Sequence, residues 1–326
     1  MKIGKLTNED LRLLVLEHLP KPGSTVVSGP SVGLDCAAVR FGDGQVVIST
    51  DPITGAAKDI GWLAIHISCN DIAASGIRPS ALLLAIIAPP QASREDIVQV
   101  IDQAAAAANQ IGVSIIGGHT EVSDAVSRFV LTTTALGFTY GNRIIQASGG
   151  QAGDTLVMTK TAGLEGTAIL AADQSQRLCG QLSDSELAAA GDLIRQISVV
   201  EEGSCGGNLG VHAMHDATEG GILGACWELA EASVLGCVID PGLIPVHPLT
   251  ARICSILNLD PLRLIASGSL IIATPHPDLL KSELAKRGIS GTAIGRLTAE
   301  PARLLSFLGK YDELTPPGPD ELYKIN

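Results

Sequence analysis

Gly117-Gly118-His119-Thr120-Glu121 is the stretch on which the reading of this chain turns. The run before it, Val113-Ser114-Ile115-Ile116, is apolar and partly β-branched, the pattern of a short buried strand. Two glycines then let the backbone turn sharply or come close to a ligand. Three polar side chains follow, at what reads as the end of a core strand. Asp35, Asp51 and the pair Asn70-Asp71 stand at the edges of apolar segments in a similar way. The expectation is that these four points meet in one cleft and hold a divalent metal and nucleotide phosphate. Carboxylate oxygens suit magnesium, which keeps part of its water and shares its sphere with phosphates.

Outward from that stretch, strand and helix patterns alternate. Gly29 to Asp35 is a glycine-bearing loop leading into a strand, Gly42-Asp43-Gly44 signals a hairpin, and the strand from Gln45 ends in Asp51-Pro52. Residues 59–75 have helical periodicity, with the polar pair Asn70-Asp71 among alanines and isoleucines. Ala81 to Ala88 reads as a buried strand. Ser93, with Asp96 three residues on, caps a helix to Ile111 that Gly112 ends. Residues 5–19 read as a helix with Leu11, Leu14, Val15 and Leu19 on one face. The small, polar run Ala147 to Asp154 is the best boundary, giving domains 1–147 and 148–326.

The second part repeats the theme. A strand at residues 155–159 runs into a glycine-bearing loop, Lys160 to Thr167, that opens a helix; without Walker A spacing, an anion loop and a plain strand–helix turn are equally open. Ser183 to Glu186 is a capping box for a helix to Ile197. Val211 to Met214 reads as a strand, followed by the loop His215-Asp216-Ala217-Thr218-Glu219-Gly220-Gly221 and a helix through Ala232. His119 and His215 each stand as a catalytic acid/base or as a structural histidine.

Bulk properties narrow the function. The 326 residues are 46% hydrophobic and 17% charged, enough for two ordinary domains with a large core. Aromatics make up only 3%, too few for stacking platforms on single-stranded nucleic acid. A net charge of −12 repels DNA, RNA and anionic membranes. The start of the chain lacks a basic region followed by an apolar one, and the seven scattered cysteines form no Cys-x-x-Cys, so a cytoplasmic protein with buried thiols is expected. Zinc, nucleophile-elbow and Rossmann spacings are absent.

The motifs Gly33-x-Asp35-x-Ala37-Ala38-Val39, Thr50-Asp51, Asn70-Asp71-Ile72-Ala73, Gly117-Gly118-x-Thr120-Glu121 and His215-Asp216-x-Thr218-x-Gly220-Gly221 occur in order. Together they resemble the aminoimidazole ribonucleotide (AIR) synthetase, PurM-like superfamily over nearly the whole chain. Within it, Asp51-Pro52-Ile53-Thr54-Gly55 and the central stretch look most like HypE-related "AIR synthase-related" proteins. The resemblance implies a two-domain α/β (α+β) fold. The N-terminal domain would pair with a second copy into a dimeric β-barrel core, and the C-terminal domain would be a layered α+β unit. It implies ATP and Mg2+ as cofactors. Asp35, Asp51, Asp71 and Glu121 would hold the metal; Gly33, Asn70, Gly117, Gly118 and Thr120 would line the phosphates. Asp216, with Gly220 and Gly221, would contribute from the second domain, and His119 and Asp216 are the catalytic candidates.

Two departures qualify the expected chemistry. Leu34 stands where the family often has a second acid, and the last cysteine is Cys254, so the HypE reaction on a C-terminal cysteine is not expected. The expected function is an ATP/Mg-dependent enzyme that phosphorylates or dehydrates a small-molecule or amide-like oxygen. A small-molecule kinase like thiamine monophosphate kinase and a non-catalytic nucleotide-binding partner protein are the alternatives. The expected partners are nucleotide, an unidentified small molecule and a second copy of the chain, with neither nucleic acid nor membrane.

Overall fold

The computed structural model of the chain describes residues 8–32, 34, 36–54, 58–141 and 144–325. Gly33 and Asp35 lie outside the described residues. The chain runs α1 (Asn8–Leu14), β1 (Val26–Ser28), β2 (Ala37–Phe41), β3 (Gly44–Ile53), α2 (Ile60–Ala74), β4 (Pro79–Ala88), α3 (Arg94–Ile111), β5 (Ser114–Val122) and β6 (Val130–Thr139). It continues with β7 (Thr155–Thr159), α4 (Leu164–Asp173), α5 (Ser175–Leu178), α6 (Asp184–Gly191), α7 (Val200–Leu209), β8 (Ala213–Asp216), α8 (Gly221–Ala232) and β9 (Gly236–Ile239). The last elements are α9 (Pro248–Leu257), β10 (Leu270–Thr274), α10 (Pro277–Ala285), β11 (Gly291–Thr298), β12 (Arg303–Phe307) and β13 (Lys310–Glu313).

Two open sheets organise these elements. The first has six strands in the order β1-β2-β3-β6-β4-β5; the second has seven, β13-β12-β9-β11-β7-β10-β8. Among the described residues neither sheet closes into a barrel. Among the described residues one pair in each sheet is parallel: β4 with β5, and β12 with β9. α2 and α3 cover one face of the first sheet. The other face carries Ile48, Leu83, Ile87, Leu136 and Phe138 and is only half-buried or exposed.

α2 is the hinge of the architecture. It is apolar almost all round and buried on nearly every side, because the first sheet lies beneath it and the second half of the chain lies above. α7 comes so close that a Cβ at Gly203 would stand 2.0 Å from the carbonyl oxygen of Ala73. The apolar cluster that includes Ile65 and Ile72 of α2 extends to Val157, Met214, Leu270, Ile272 and Leu284.

Most sequence-derived elements are present. Ser93 and Asp96 form the capping box of α3, Ser183 and Glu186 that of α6, and Gly112 ends α3 in the left-handed region. Three expectations need correction. The N-terminal helix is a single short α-helix followed by a 3-10 turn, and Leu14, Val15 and Leu19 are exposed rather than packed. The helix expected to reach Ile197 stops at Gly191 and tightens into a 3-10 stretch, Asp192–Gln196. Most consequentially, Gly117 to Glu121 is not a loop after a buried strand but the body of β5, an edge strand exposed along its whole length. A bulge beside β4 absorbs Ile116 and resets the register, so the strand passes through both glycines.

Candidate nucleotide and metal site

The strand register places each candidate. Asp51 pairs with Thr133 of β6, Thr133 with Leu84 of β4, and Leu84 with Gly118 of β5. Thr133 and Leu84 are buried, so this row faces α2 and α3. Ser49, two residues before Asp51, projects to the same face. There Asp71 descends from α2: Ser49 Oγ donates to Asp71 Oδ2 at 2.5 Å and lies 3.4 Å from Asp51 Oδ2. Two carboxylates from the successive elements β3 and α2 thus bracket one hydroxyl. Asp71 is buried and Asp51 half-buried, so the pair is seated in the protein yet reachable on one side.

Glu121 and His119 are elsewhere. His119 pairs with Ala85 and Glu121 with Ile87, one and three rows from the Gly118 row, so both side chains leave the opposite face of the sheet. They are exposed and meet each other, Nε2 to Oε2, at 3.3 Å. From Asp51 to Gly118 the sheet spans three strand spacings, about 14 Å. Within one chain, therefore, Glu121 does not join Asp51 and Asp71, and the single cleft expected from sequence is divided between two faces. Thr120, in the row of Ile86, and Gly118 stay on the helix-covered face at the edge strand.

Asn70 is fully buried, and both ends of its amide reach the second half of the chain: Nδ2 donates to Ile197 O at 2.7 Å and Oδ1 accepts from Val199 N at 2.8 Å. In the structure it is a brace between the halves. Asp216 ends β8 and is buried. Its strand neighbour Met214 and its pairing partner Leu270 both belong to the apolar cluster shared with α2, so alternation turns Asp216 toward α2 as well. His215 points the other way and meets Glu228 of α8 at 3.1 Å.

Gly220 and Gly221 open α8, but the chain itself occupies that end. Gly220 N donates to Asp320 Oδ2 at 2.9 Å, and a Cβ at Gly221 would meet the carbonyl oxygens of Leu262 and Leu264 at 2.6 and 2.7 Å. Burial pushes the Asp320 carboxyl up to about 6, against backbone N–H groups of Leu322, Gly220 and Ile265 that favour its charged form. The Lys160–Thr167 loop is likewise committed: Ala162 N donates to Pro245 O and Gly166 N to Ile265 O.

Sequence reasoning missed Ser49, Lys160 and Asp320. The first was legible, since two-residue alternation puts Ser49 on the face of Asp51. The other two act on segments more than thirty residues away, and no local pattern marks them.

A magnesium ion fits Asp51 and Asp71, which offer hard oxygen donors of the number this ion usually takes from a protein when phosphates complete its sphere. Among the described residues no group of three or more His, Cys, Asp or Glu is placed to hold a metal by itself.

The N-terminal domain of AIR synthase related proteins matches residues 33–139, and the C-terminal domain of the same proteins matches residues 151–304. The chain belongs to the AIR synthase-related family. Carbamoyl dehydratase HypE of Cupriavidus necator is 31% identical over 267 residues, 78% of this chain and 73% of that protein. The crystal structure of HypE from E. coli superposes with a TM-score of 0.73 at 26% identity, over 86% of this chain and 88% of the other. A HypE crystal structure in complex with ATP shares the fold, with a TM-score of 0.67 at 22% identity over 98% and 97% of the two chains. The chain shares the fold of these structures and is itself a mixed α/β molecule with two sheets.

Proposed function

We propose that this AIR synthase-related chain is an ATP- and magnesium-dependent enzyme that activates a small-molecule or amide-like oxygen by phosphorylation or dehydration. The observation that carries the reading is the Asp51–Ser49–Asp71 constellation, with Asp216 turned toward the same helix. The ATP held by a HypE of the same fold, and the carbamoyl dehydratase activity in the name of the 31% identical relative, support it. On this reading Asp51 and Asp71 share the magnesium ion. Bound magnesium would neutralise the triphosphate and orient it for attack by the acceptor oxygen.

We further propose that the protein works as a homodimer in the cytoplasm. The open face of the first sheet is apolar, β5 leaves a row of backbone groups unpaired at its edge, and His119 and Glu121 stand on that face. A second copy seated there would bring Glu121 to an interface instead of leaving it in solvent. Sedimentation of the wild type as a dimer and of Ile116→Lys as a monomer is the expected result; a monomeric wild type at micromolar concentration rejects the arrangement.

Calorimetric titration tests the nucleotide reading. ADP is expected to bind only with magnesium present, and chelation of the metal abolishes the heat. Asp51→Asn removes a charge without removing packing, and is expected to weaken magnesium-dependent binding by about 10-fold or more while thermal stability is retained. Equal ADP affinity with and without magnesium contradicts the assignment. If ATP is consumed with a screened metabolite, release of a stable phosphorylated product identifies a kinase; release of phosphate with a dehydrated product identifies the dehydratase chemistry.

A further inference from the structure

The segment Ile194–Val199 joins the stretch after α6 to α7 and runs along α2. Its backbone is held by side chains from both halves of the chain. From α2, Trp62 Nε1 donates to Ile194 O at 3.0 Å, and Asn70 takes Ile197 O and Val199 N. From the other side comes Lys160, the residue after β7. Its ammonium donates to Gln196 O at 3.0 Å, to Ser198 O at 2.5 Å and to Gly268 O at 3.0 Å, and it pairs with Glu202 of α7 at 2.6 Å. Three protons meet four oxygens, and the Glu202 carboxylate is buried. Lys160 also holds a left-handed backbone, φ 55°, which a β-carbon opposes and which persists only where the surroundings impose it.

The carbonyls of residues 196, 197 and 198 are thus bound in succession by side chains from two separate elements. The two grips also alternate along the segment, Lys160 on 196 and 198, Asn70 on 197 and 199. Asn70 is the residue before Asp71. Whatever fixes Ile197 and Val199 therefore fixes the turn of α2 that presents Asp71 to Ser49 and Asp51.

We propose that Lys160 is a positioning residue: it and Asn70 clamp residues 194–199 between the two halves of the chain, and through that clamp the second half sets the pose of Asp71 beside Asp51. Its functional consequence rests on the magnesium–nucleotide reading given above; the clamp itself does not. Lys160 touches no phosphate in this scheme. Its charge is met by main-chain oxygens and by the Glu202 carboxylate.

Hydrogen exchange and a double-mutant cycle test the proposal together. In Lys160→Arg the positive charge beside Glu202 is kept, but a planar fork cannot meet three converging carbonyls. The Val199 amide, and those of α2 around Asn70 and Asp71, are expected to exchange at least about 10-fold faster than in the wild type, while β12 is unchanged. Lys160→Met is expected to weaken magnesium-dependent ADP binding by about 10-fold, in the range of losses seen when a residue orienting a metal ligand is removed. Lys160→Met combined with Asp71→Asn is expected to bind no more weakly than Asp71→Asn alone, because both act at one carboxylate. Wild-type exchange at Val199 in Lys160→Arg overturns the clamp, and strictly additive binding losses overturn its link to Asp71. If the wild type shows no magnesium-dependent binding, the functional reading fails by itself, and exchange in Lys160→Arg, which needs no ligand, still decides the clamp. Should Lys160→Met not fold, the same arginine variant supplies both the exchange measurement and the cycle.

Discussion

Gly118→Ala is expected to destabilise the protein by about 3 kcal/mol or more, while Gly117→Ala, one residue away, costs less than about 1 kcal/mol. The two glycines look equivalent in the sequence, yet their surroundings differ. Gly118 has φ 154°, a mirror-image extended conformation, and a Cβ built there stands 1.8 Å from the carbonyl oxygen of Leu84 and 2.7 Å from its carbonyl carbon. Both obstacles are backbone of the neighbouring strand, so relief requires β4 and β5 to separate where Leu84 and Gly118 pair. A Cβ at Gly117 meets only Leu83 Cδ2, at 3.3 Å, the movable end of a side chain. Urea denaturation of the two variants checks this directly. Equal midpoints would mean that the glycine pair does not lie within β5 as described.

Glu165→Gln is expected to stabilise the protein by about 3 kcal/mol near pH 8 and by little near pH 4.5. Glu165 sits in α4, fully buried, and burial pushes its carboxyl from 4.5 up to about 7; a hydrogen bond from Ser267 opposes the shift, and the charges of Asp320 and Glu219 add to it. Between those two values the folded protein holds a proton that the unfolded chain has released. Stability contributed by the neutral acid is therefore complete below about pH 4.5 and is lost as pH rises through about 7. Glutamine is neutral throughout and has no such loss. Asp320, pushed up to about 6, works in the same direction in both proteins. His66 works in the opposite one: burial lowers it from 6.5 to about 4, so its contribution is full above about 6.5 and falls away on acidification. The difference between variant and wild type cancels the His66 contribution and leaves that of Glu165 together with its coupling to the Asp320 charge. Chemical denaturation at about pH 4.5 and about pH 8 gives that difference, and a gain that does not grow with pH contradicts the burial of an ionisable carboxyl at this place.

How far the sequence leads can be seen residue by residue. Helix α2 and the capping boxes of α3 and α6 were legible because each is a local pattern: apolar spacing, or a serine with an acid three residues on. Asp51 and Asp71 were legible as polar intrusions into apolar segments, and Ser49 joins them. The face from which His119 and Glu121 leave was not legible. It depends on a one-residue bulge at Ile116, and a shift of one residue exchanges every side chain between the two sides of a strand. Asn70 was expected at the phosphates on family resemblance; the structure gives its amide to main-chain atoms 127 and 129 positions away. Gly220 was expected to face a nucleotide, and its N–H instead meets a carboxylate 100 positions downstream. Long-range pairings of this kind carry no periodic signature.

The apolar cluster that runs from Ala38 through Ile72 to Leu284 has one further consequence. Its members come from both sheets, so neither half owns the residues that would shield it from water alone. Loss of either half strips oil-like surface bare on the other. The two halves therefore share one of their cores, while the second half also keeps apolar clusters of its own, and a disturbance along α2 is expected to cost both halves.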